Sequence, residues 1–257
     1  MGLISRVASF CKRLRMLNNY SANGFAAARS IFRHRSDPYR PETIRYENIP
    51  FIYRGVDERA IREVWFDGEY DFASEYVRTN PRPIVYDLGA HIGCFGAWVF
   101  SRNSRAVVVS YEANPSTHAV LQANAEQYVL AGNLWETYCR AVTDGKNQVI
   151  KLQESNNSMS CRVSKTGNVY CKSATLQMIV NRPIDLLKLD IEGSEQGVLE
   201  EGQDSLMHVK ALIIEIHPSL CKESAVKKIL GKYFSKIKQI AGRESAKPLL
   251  FCEKPNS

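Results

Sequence analysis

Ile84-Val85-Tyr86-Asp87-Leu88-Gly89-Ala90-His91-Ile92-Gly93-Cys94-Phe95-Gly96 decides how this chain folds. A short apolar run ends in an acid, glycines follow, and a helical pattern begins at Ile92 and reaches Ser101. A buried strand turning sharply into a helix makes the ligand corner of an open α/β sheet, where glycine lets the backbone turn and approach a ligand closely. The spacing selects among ligands. A dinucleotide turn reads Gly-x-Gly-x-x-Gly and receives pyrophosphate on its amides, whereas this one reads Asp-x-Gly-x-x-x-Gly and opens on a carboxylate. Such an acid repels phosphate and attracts a cation. S-adenosylmethionine, with an ammonium, a sulfonium and no phosphate, meets that demand.

Working outward, strand-like apolar runs alternate with helical patterns, the signature of a mostly parallel sheet covered on both faces. Strands are predicted at Ile84–Leu88, Ala106–Glu112, Glu136–Val142, Ile184–Asp190, Ala211–Ile216, Ile237–Ile240 and Leu249–Glu253. Helices are predicted at Ile92–Ser101, Pro115–Leu130, Ser194–Leu206 and Leu220–Phe234. Gln148–Tyr170 reads as an inserted hairpin whose polar loop, Glu154–Ser160, carries Asn157 and Ser158 as candidate acceptor contacts. Upstream, Ile44–Tyr53 reads as strand or loop and Asp57–Val77 as a charged helical stretch. Asn80-Pro81-Arg82-Pro83 stops any helix. The expected organisation is a basic arm over 1–36, a cap segment over 37–80 and a seven-stranded Rossmann-like α/β domain over 81–257.

Two further strand ends bring acids to the ligand edge. Glu112 closes Val107-Val108-Val109-Ser110-Tyr111-Glu112, where a carboxylate accepts hydrogen bonds from two ribose hydroxyls. Asp190 and Glu192 follow the strand in Leu187-Lys188-Leu189-Asp190-Ile191-Glu192-Gly193-Ser194-Glu195. Ser194 is placed to cap the next helix and Glu195 suits its first turn. Carboxylates that converge in this way are costly unless something positive joins them.

The segments Asp87–Gly93 and Leu187–Glu195, with Gly68-Glu69-Tyr70 upstream and Ile213-Ile214-Glu215-Ile216-His217-Pro218 downstream, resemble the FkbM family of methyltransferases over roughly residues 55 to 220. The Lys-Leu-Asp-Ile-Glu-Gly stretch is the distinctive part. The resemblance implies a class I fold, S-adenosylmethionine as donor, and O-methylation of hydroxyls on sugars or secondary metabolites. It assigns Asp87, Gly89, Ala90, His91 and Gly93 to the cofactor turn, Glu112 to the ribose, and Ala141, with Val142, to the adenine region. The chain departs from the family where Thr175-Leu176 is followed by Gln177 instead of an acid.

Methyl transfer to an aliphatic hydroxyl needs an aligned acceptor and a base. Asp190 and His217, which precedes Pro218, are the candidates for that base, with Glu192 and Glu69 shaping the acceptor site. A magnesium ion at Asp190 and a neighbouring acid is chemically reasonable, although no ligand spacing demands a metal.

Charge is unevenly distributed. Of 34 basic residues, seven lie in residues 1–36 with no acid among them, which leaves 27 basic and 27 acidic residues elsewhere. Leu3, Ile4, Val7, Phe10, Leu14 and Leu17 recur at helical intervals among those cations, a basic amphipathic pattern suited to a membrane surface or a lipid-linked substrate. The arm lacks a signal-peptide pattern, and Arg6 breaks a myristoylation motif. Seven scattered cysteines without metal-ligand spacing suit reduced thiols in a cytoplasmic protein.

A small-molecule or glycan acceptor is therefore expected, and no nucleic acid. Enzymes that methylate exocyclic base amines carry Asn/Asp-Pro-Pro-aromatic after the fourth strand, and Asp190-Ile191-Glu192-Gly193 stands there instead. The competing readings are a nucleic-acid methyltransferase, favoured by the arm, a cofactor-binding scaffold without catalysis, and an aminopropyl transferase of the same fold. Oligomeric state leaves no mark on the sequence.

Overall fold

The computed structural model describes residues 37–153, 162–163, 167–240 and 247–255. The basic arm and the loop holding Asn157 and Ser158 lie outside the described residues.

Strands β1 (Glu42–Tyr46) and β2 (Ile49–Tyr53) form an antiparallel hairpin. Its two-residue turn puts Glu47 and Asn48 at φ of 49° and 68°, the left-handed pair that matches strand twist. The expected helix over Asp57–Val77 is instead a chain of short turns. Helix α1 (Glu58–Ile61) passes into a π turn over Arg62–Phe66, and α2 (Ser74–Thr79) follows after Gly68, which sits at φ +68°. The π turn brings Trp65 inward. Its ring stacks on Tyr46 at 4.0 Å, and its Nε1 donates to the Cys94 carbonyl at 3.0 Å.

The remaining elements are β3 (Ile84–Leu88), α3 (Cys94–Arg102), β4 (Val107–Glu112), α4 (Pro115–Leu130), β5 (Leu134–Cys139), β6 (Ala141–Val142), β7 (Val149–Gln153), β8 (Arg162–Val163), β9 (Val169–Ala174), α5 (Leu176–Ile179), β10 (Ile184–Leu189), α6 (Glu195–Gly202), β11 (Val209–Glu215), α7 (Glu223–Tyr233), β12 (Lys236–Gln239) and β13 (Leu249–Glu253). The central sheet runs β12-β13-β11-β10-β3-β4-β5, with β13 antiparallel to both neighbours and the other pairs parallel. Chain order reverses between β3 and β10, which opens a crevice at their carboxyl ends.

The expected strand over Glu136–Val142 divides at Arg140. Past the end of β4 the Arg140 amide donates to the Glu112 carbonyl at 3.0 Å. The chain then leaves the main sheet, and Ala141–Val142 pairs with β9. The inserted segment is accordingly a small sheet of order β6-β9-β7-β8. Helix α4 keeps the expected bounds because Asn114 Oδ1 accepts from the Ser116 amide at 2.9 Å and Pro115 fixes the first turn.

Each sheet face has its own core. One packs the hairpin, the short turns, α3 and α4 together, and it crosses position 80 without a break: Phe51, Trp65 and Val77 share it with Val85, Trp98 and Trp135. Asn124, fully buried on α4, clips β2 in place by accepting from Ile52 N at 2.6 Å and donating to the Ile52 and Ile92 carbonyls at 2.9 Å. The other core holds α5, α6 and α7 against β10 and β11. Among the described residues no helix is long and apolar enough to cross a membrane.

Candidate active site

The turn after β3 is locked from three sides. Gly89 N and Ala90 N donate to the Tyr111 carbonyl at 3.0 and 2.9 Å. Gly89 lies at φ +83°, and a Cβ there would run into the Asp190 carbonyl, so only glycine lets the ends of β3 and β10 meet. His91 takes φ +52°, and its amide donates to Glu112 Oε2 at 2.9 Å. The other Glu112 oxygen accepts from Asn114 N at 2.9 Å. Burial raises the Glu112 pKa, opposed by His91 and the Asn114 amide. Two amides fix the carboxylate, and each oxygen keeps a further lone pair for a ligand. Glu112 lines a cleft at the crevice together with Gly89, His91, Arg140, Ala141 and Asp190.

Asp87 is not exposed to that cleft. It is fully buried beneath the turn, and Lys188 Nζ donates to its Oδ1 and to the Gly89 carbonyl, both at 3.0 Å. Burial raises the Asp87 pKa while Lys188 lowers it. The positive partner expected for the acids is thus in part Lys188, from the chain itself. Gly93, at φ +94°, admits Leu121 and Trp135 against the start of α3, and with Ala90 it shapes the turn without lining the cleft.

His91 also ties the turn to the N-terminal segment. Its Nε2 lies 3.4 Å from Asp57 Oδ1, and Asp57, fully buried, accepts from Arg54 Nε at 2.8 Å and Nη2 at 3.0 Å. Burial works to raise the Asp57 pKa, yet His91 and Arg54 outweigh it and hold the acid well below the usual carboxylate range. No sequence motif marks this pair, because more than thirty positions separate it from His91.

At the far end of the cleft the strand ends of β10 and β11 gather Asp190, Glu192, Glu215 and His217, with Glu195 behind them. His217 Nδ1 stands 2.8 Å from Glu195 Oε1, and Nε2 stands 3.5 Å from Glu192 Oε2 and 4.0 Å from Glu215 Oε1. Ser194 makes no capping bond. Glu195 instead pins the loop before the helix, accepting from Ile191 N at 3.3 Å and Gly193 N at 3.0 Å while it holds the imidazole. Lys247 Nζ lies 3.5 Å from Glu192 and 3.6 Å from Glu215, and Lys188 Nζ lies 4.0 Å from Asp190 Oδ2. Burial raises the pKa of Asp190, and burial together with the Asp190 charge pushes Glu215 up to about 8. For His217 burial acts downward, but the Glu192 and Glu195 carboxylates prevail and raise it to about 10.

The structure therefore brings Asp190, Glu192 and His217 together at one end of the cleft and places Gly89, His91, Glu112 and Ala141 along the rest of it. Glu69 is half-buried beside Gly68, its amide donating to the Glu63 carbonyl at 3.1 Å, and it does not line the cleft. Sequence reading missed Lys188, Glu195 and Glu215 as site residues, although all three sit inside the quoted motifs. Period-two alternation could have placed Lys188 beside Asp87 in the neighbouring strand.

A parallel sheet reversing between β3 and β10, an antiparallel β13 inserted beside β11, and an acid holding the ligand turn define a class I methyltransferase. A model of the family described as methyltransferase FkbM domain matches residues 87–240, more than half of the chain. The chain belongs to the FkbM family of S-adenosylmethionine-dependent methyltransferases. None of the curated proteins matches it. Among solved structures, the magnesium protoporphyrin IX methyltransferase of Synechocystis PCC 6803 with bound S-adenosylmethionine is similar over 95% of this chain and 97% of that one, at 13% identity and a TM-score of 0.50. An O-methyltransferase family protein of Burkholderia thailandensis is similar over 78% of this chain and 60% of that one, at 15% identity and a TM-score of 0.47. At these identities the likeness is one of fold.

Proposed function

We propose that this protein methylates a hydroxyl oxygen of a polyhydroxylated acceptor, a saccharide, at the cluster of Asp190, Glu192 and His217. The observation that carries the reading is the position of that cluster at the carboxyl ends of β10 and β11, where Asp190 and Glu192 line the same cleft as Glu112 and the glycine turn. The cleft suits the cofactor. Glu112 offers lone pairs fixed by two amides for ribose hydroxyls, Arg140, Ala141 and Val142 form the wall farther out, and a net acidic surround favours a cationic ligand. When bound, S-adenosylmethionine supplies an electrophilic methyl group on a sulfonium.

The protein's own contribution is alignment and proton removal. A hydroxyl directed at Asp190 and Glu192 donates to carboxylates that draw off its proton as its nucleophilicity is needed. Acids at the acceptor end accept hydrogen bonds from several hydroxyls at once and repel phosphates, which favours a neutral sugar over a nucleic acid backbone. The basic arm, in this reading, holds the enzyme near an anionic membrane carrying a lipid-linked glycan. Purified protein incubated with S-adenosylmethionine and a panel of glycosides should give methyl ethers by mass spectrometry and NMR. Asp190→Asn should lower kcat by about 10²–10⁴-fold, the scale of a lost acid–base contribution. Activity unchanged in that variant, or methyl groups found on nitrogen, would overturn the reading. Liposome binding that survives deletion of residues 1–36 would remove the membrane part.

A further inference from the structure

Asp190, Glu192 and His217 each present one ligand atom, and these atoms all lie within 4.8 Å of one another. We propose that they bind a divalent cation, which holds the acceptor oxygen. The inference rests on the acceptor site being at this cluster.

Converging acids alone do not make a metal site, and the decisive feature is the imidazole. His217 is 2% exposed, and its Nε2 is sealed from water and makes no hydrogen bond. That nitrogen faces Glu192 Oε2 at 3.5 Å and Glu215 Oε1 at 4.0 Å, so a negative field surrounds it. Nδ1 meets Glu195 Oε1 at 2.8 Å, and the same oxygen accepts from the Gly193 amide, so Oε1 is the acceptor and Nδ1–H the donor. Nε2 is then the nitrogen directed at anionic oxygens, and a cation bound there takes the place of its proton. An imidazole whose far nitrogen is clamped by a buried carboxylate, with the near nitrogen aimed among acids, is the carboxylate–histidine–metal arrangement. Asp190 Oδ1 is likewise buried and without a hydrogen bond.

Charge points the same way. Asp87, Asp190, Glu192, Glu195 and Glu215 bring five acids into one region. Lys188 is spent mainly on Asp87, and Lys247 approaches from the rim, 41% exposed, on a stem long enough to withdraw into solvent. Two carboxylates and one imidazole leave open coordination positions for water or a substrate oxygen. They suit Mn2+ or Zn2+ better than Mg2+, which prefers oxygen ligands throughout. A cation there acidifies a bound hydroxyl, and the second carboxylate oxygens of Asp190 and Glu192, off the ion, accept its proton.

The test is equilibrium binding of Mn2+ to the full-length protein, followed by electron paramagnetic resonance of free Mn2+ and by calorimetry, with circular dichroism melts to verify folding. One ion per chain is expected. Glu192→Gln and His217→Gln should abolish it, and Glu195→Gln, behind the ligand, should weaken it by about 10- to 100-fold. No saturable Mn2+ or Zn2+ binding to folded wild-type protein would overturn the proposal, as would binding that persists in folded Glu192→Gln and His217→Gln. Binding that falls in the Glu192 variant alone would also overturn it, since the histidine is its core. These outcomes are separate from methyl transfer: a metal-free protein that still forms methyl ethers refutes the cation and leaves O-methylation standing, whereas saturable binding without methyl ethers does the reverse.

Discussion

Glu195 Oε1 meets His217 Nδ1 at 2.8 Å, and both side chains are shut off from solvent. One carboxylate therefore joins the start of α6 to the end of β11 and orients the ring whose Nε2 faces Glu192 and Glu215. Removing one partner of a buried pair leaves the other uncompensated. Glu195→Ala should lower unfolding free energy by about 3–5 kcal/mol, measured by urea denaturation. A loss below 1 kcal/mol would show that the pair carries little of the local structure.

Lys188 and Asp87 follow the same logic beneath the cofactor turn. Lys188→Met should be destabilising by about 3 kcal/mol or more because a buried acid loses its cation. The double variant Asp87→Asn with Lys188→Met should recover part of that loss, which thermal melts of the single and double variants would reveal. A double variant no more stable than Lys188→Met would contradict the pairing.

Asp57 gives the fold an acid-sensitive contact. Its folded pKa lies below its unfolded value, so its stabilisation is complete above the unfolded pKa and is lost as pH falls toward the folded one. Wild-type stability should decline between roughly pH 5 and pH 2. Asp57→Asn should start lower by about 3 kcal/mol at neutral pH and fall less steeply across the same range. Parallel curves in chemical denaturation at several pH values would rule this out.

Glycines should separate sharply by environment. Gly89→Ala meets the Asp190 carbonyl on a left-handed backbone and should prevent a stable fold. Gly231, inside α7 with open space around it, should accept alanine with a gain of about 0.5–1 kcal/mol. Equal melting temperatures for the two variants would refute the close approach of β3 and β10.

Much of this architecture is legible in the sequence for definite reasons. Ile84–Leu88 and Leu249–Glu253 are read to the residue because apolar runs bounded by Pro83 or Pro248 and by polar residues admit no other strand. Pro115–Leu130 is read because Asn114-Pro115 is a helix start in itself. The break at Arg140 is invisible, since it depends on an amide finding the Glu112 carbonyl across the sheet. The helical stretch over 57–77 is misread because its charge pattern conceals the inward turn of Trp65. At the site, acids at strand ends are readable one by one. Their neutralisation is not, because Lys188, Asp57 and Glu195 act through partners that only the folded chain brings near.

The most direct measurement is calorimetric titration of S-adenosylhomocysteine into the wild type and into Glu112→Ala. The wild type should bind in the micromolar range, about −8 kcal/mol. Loss of two hydrogen bonds to a charged acceptor, each worth roughly 1.5–3 kcal/mol, should weaken the folded variant by more than 100-fold. Equal affinity in the two proteins would contradict the placement of the cofactor in this cleft.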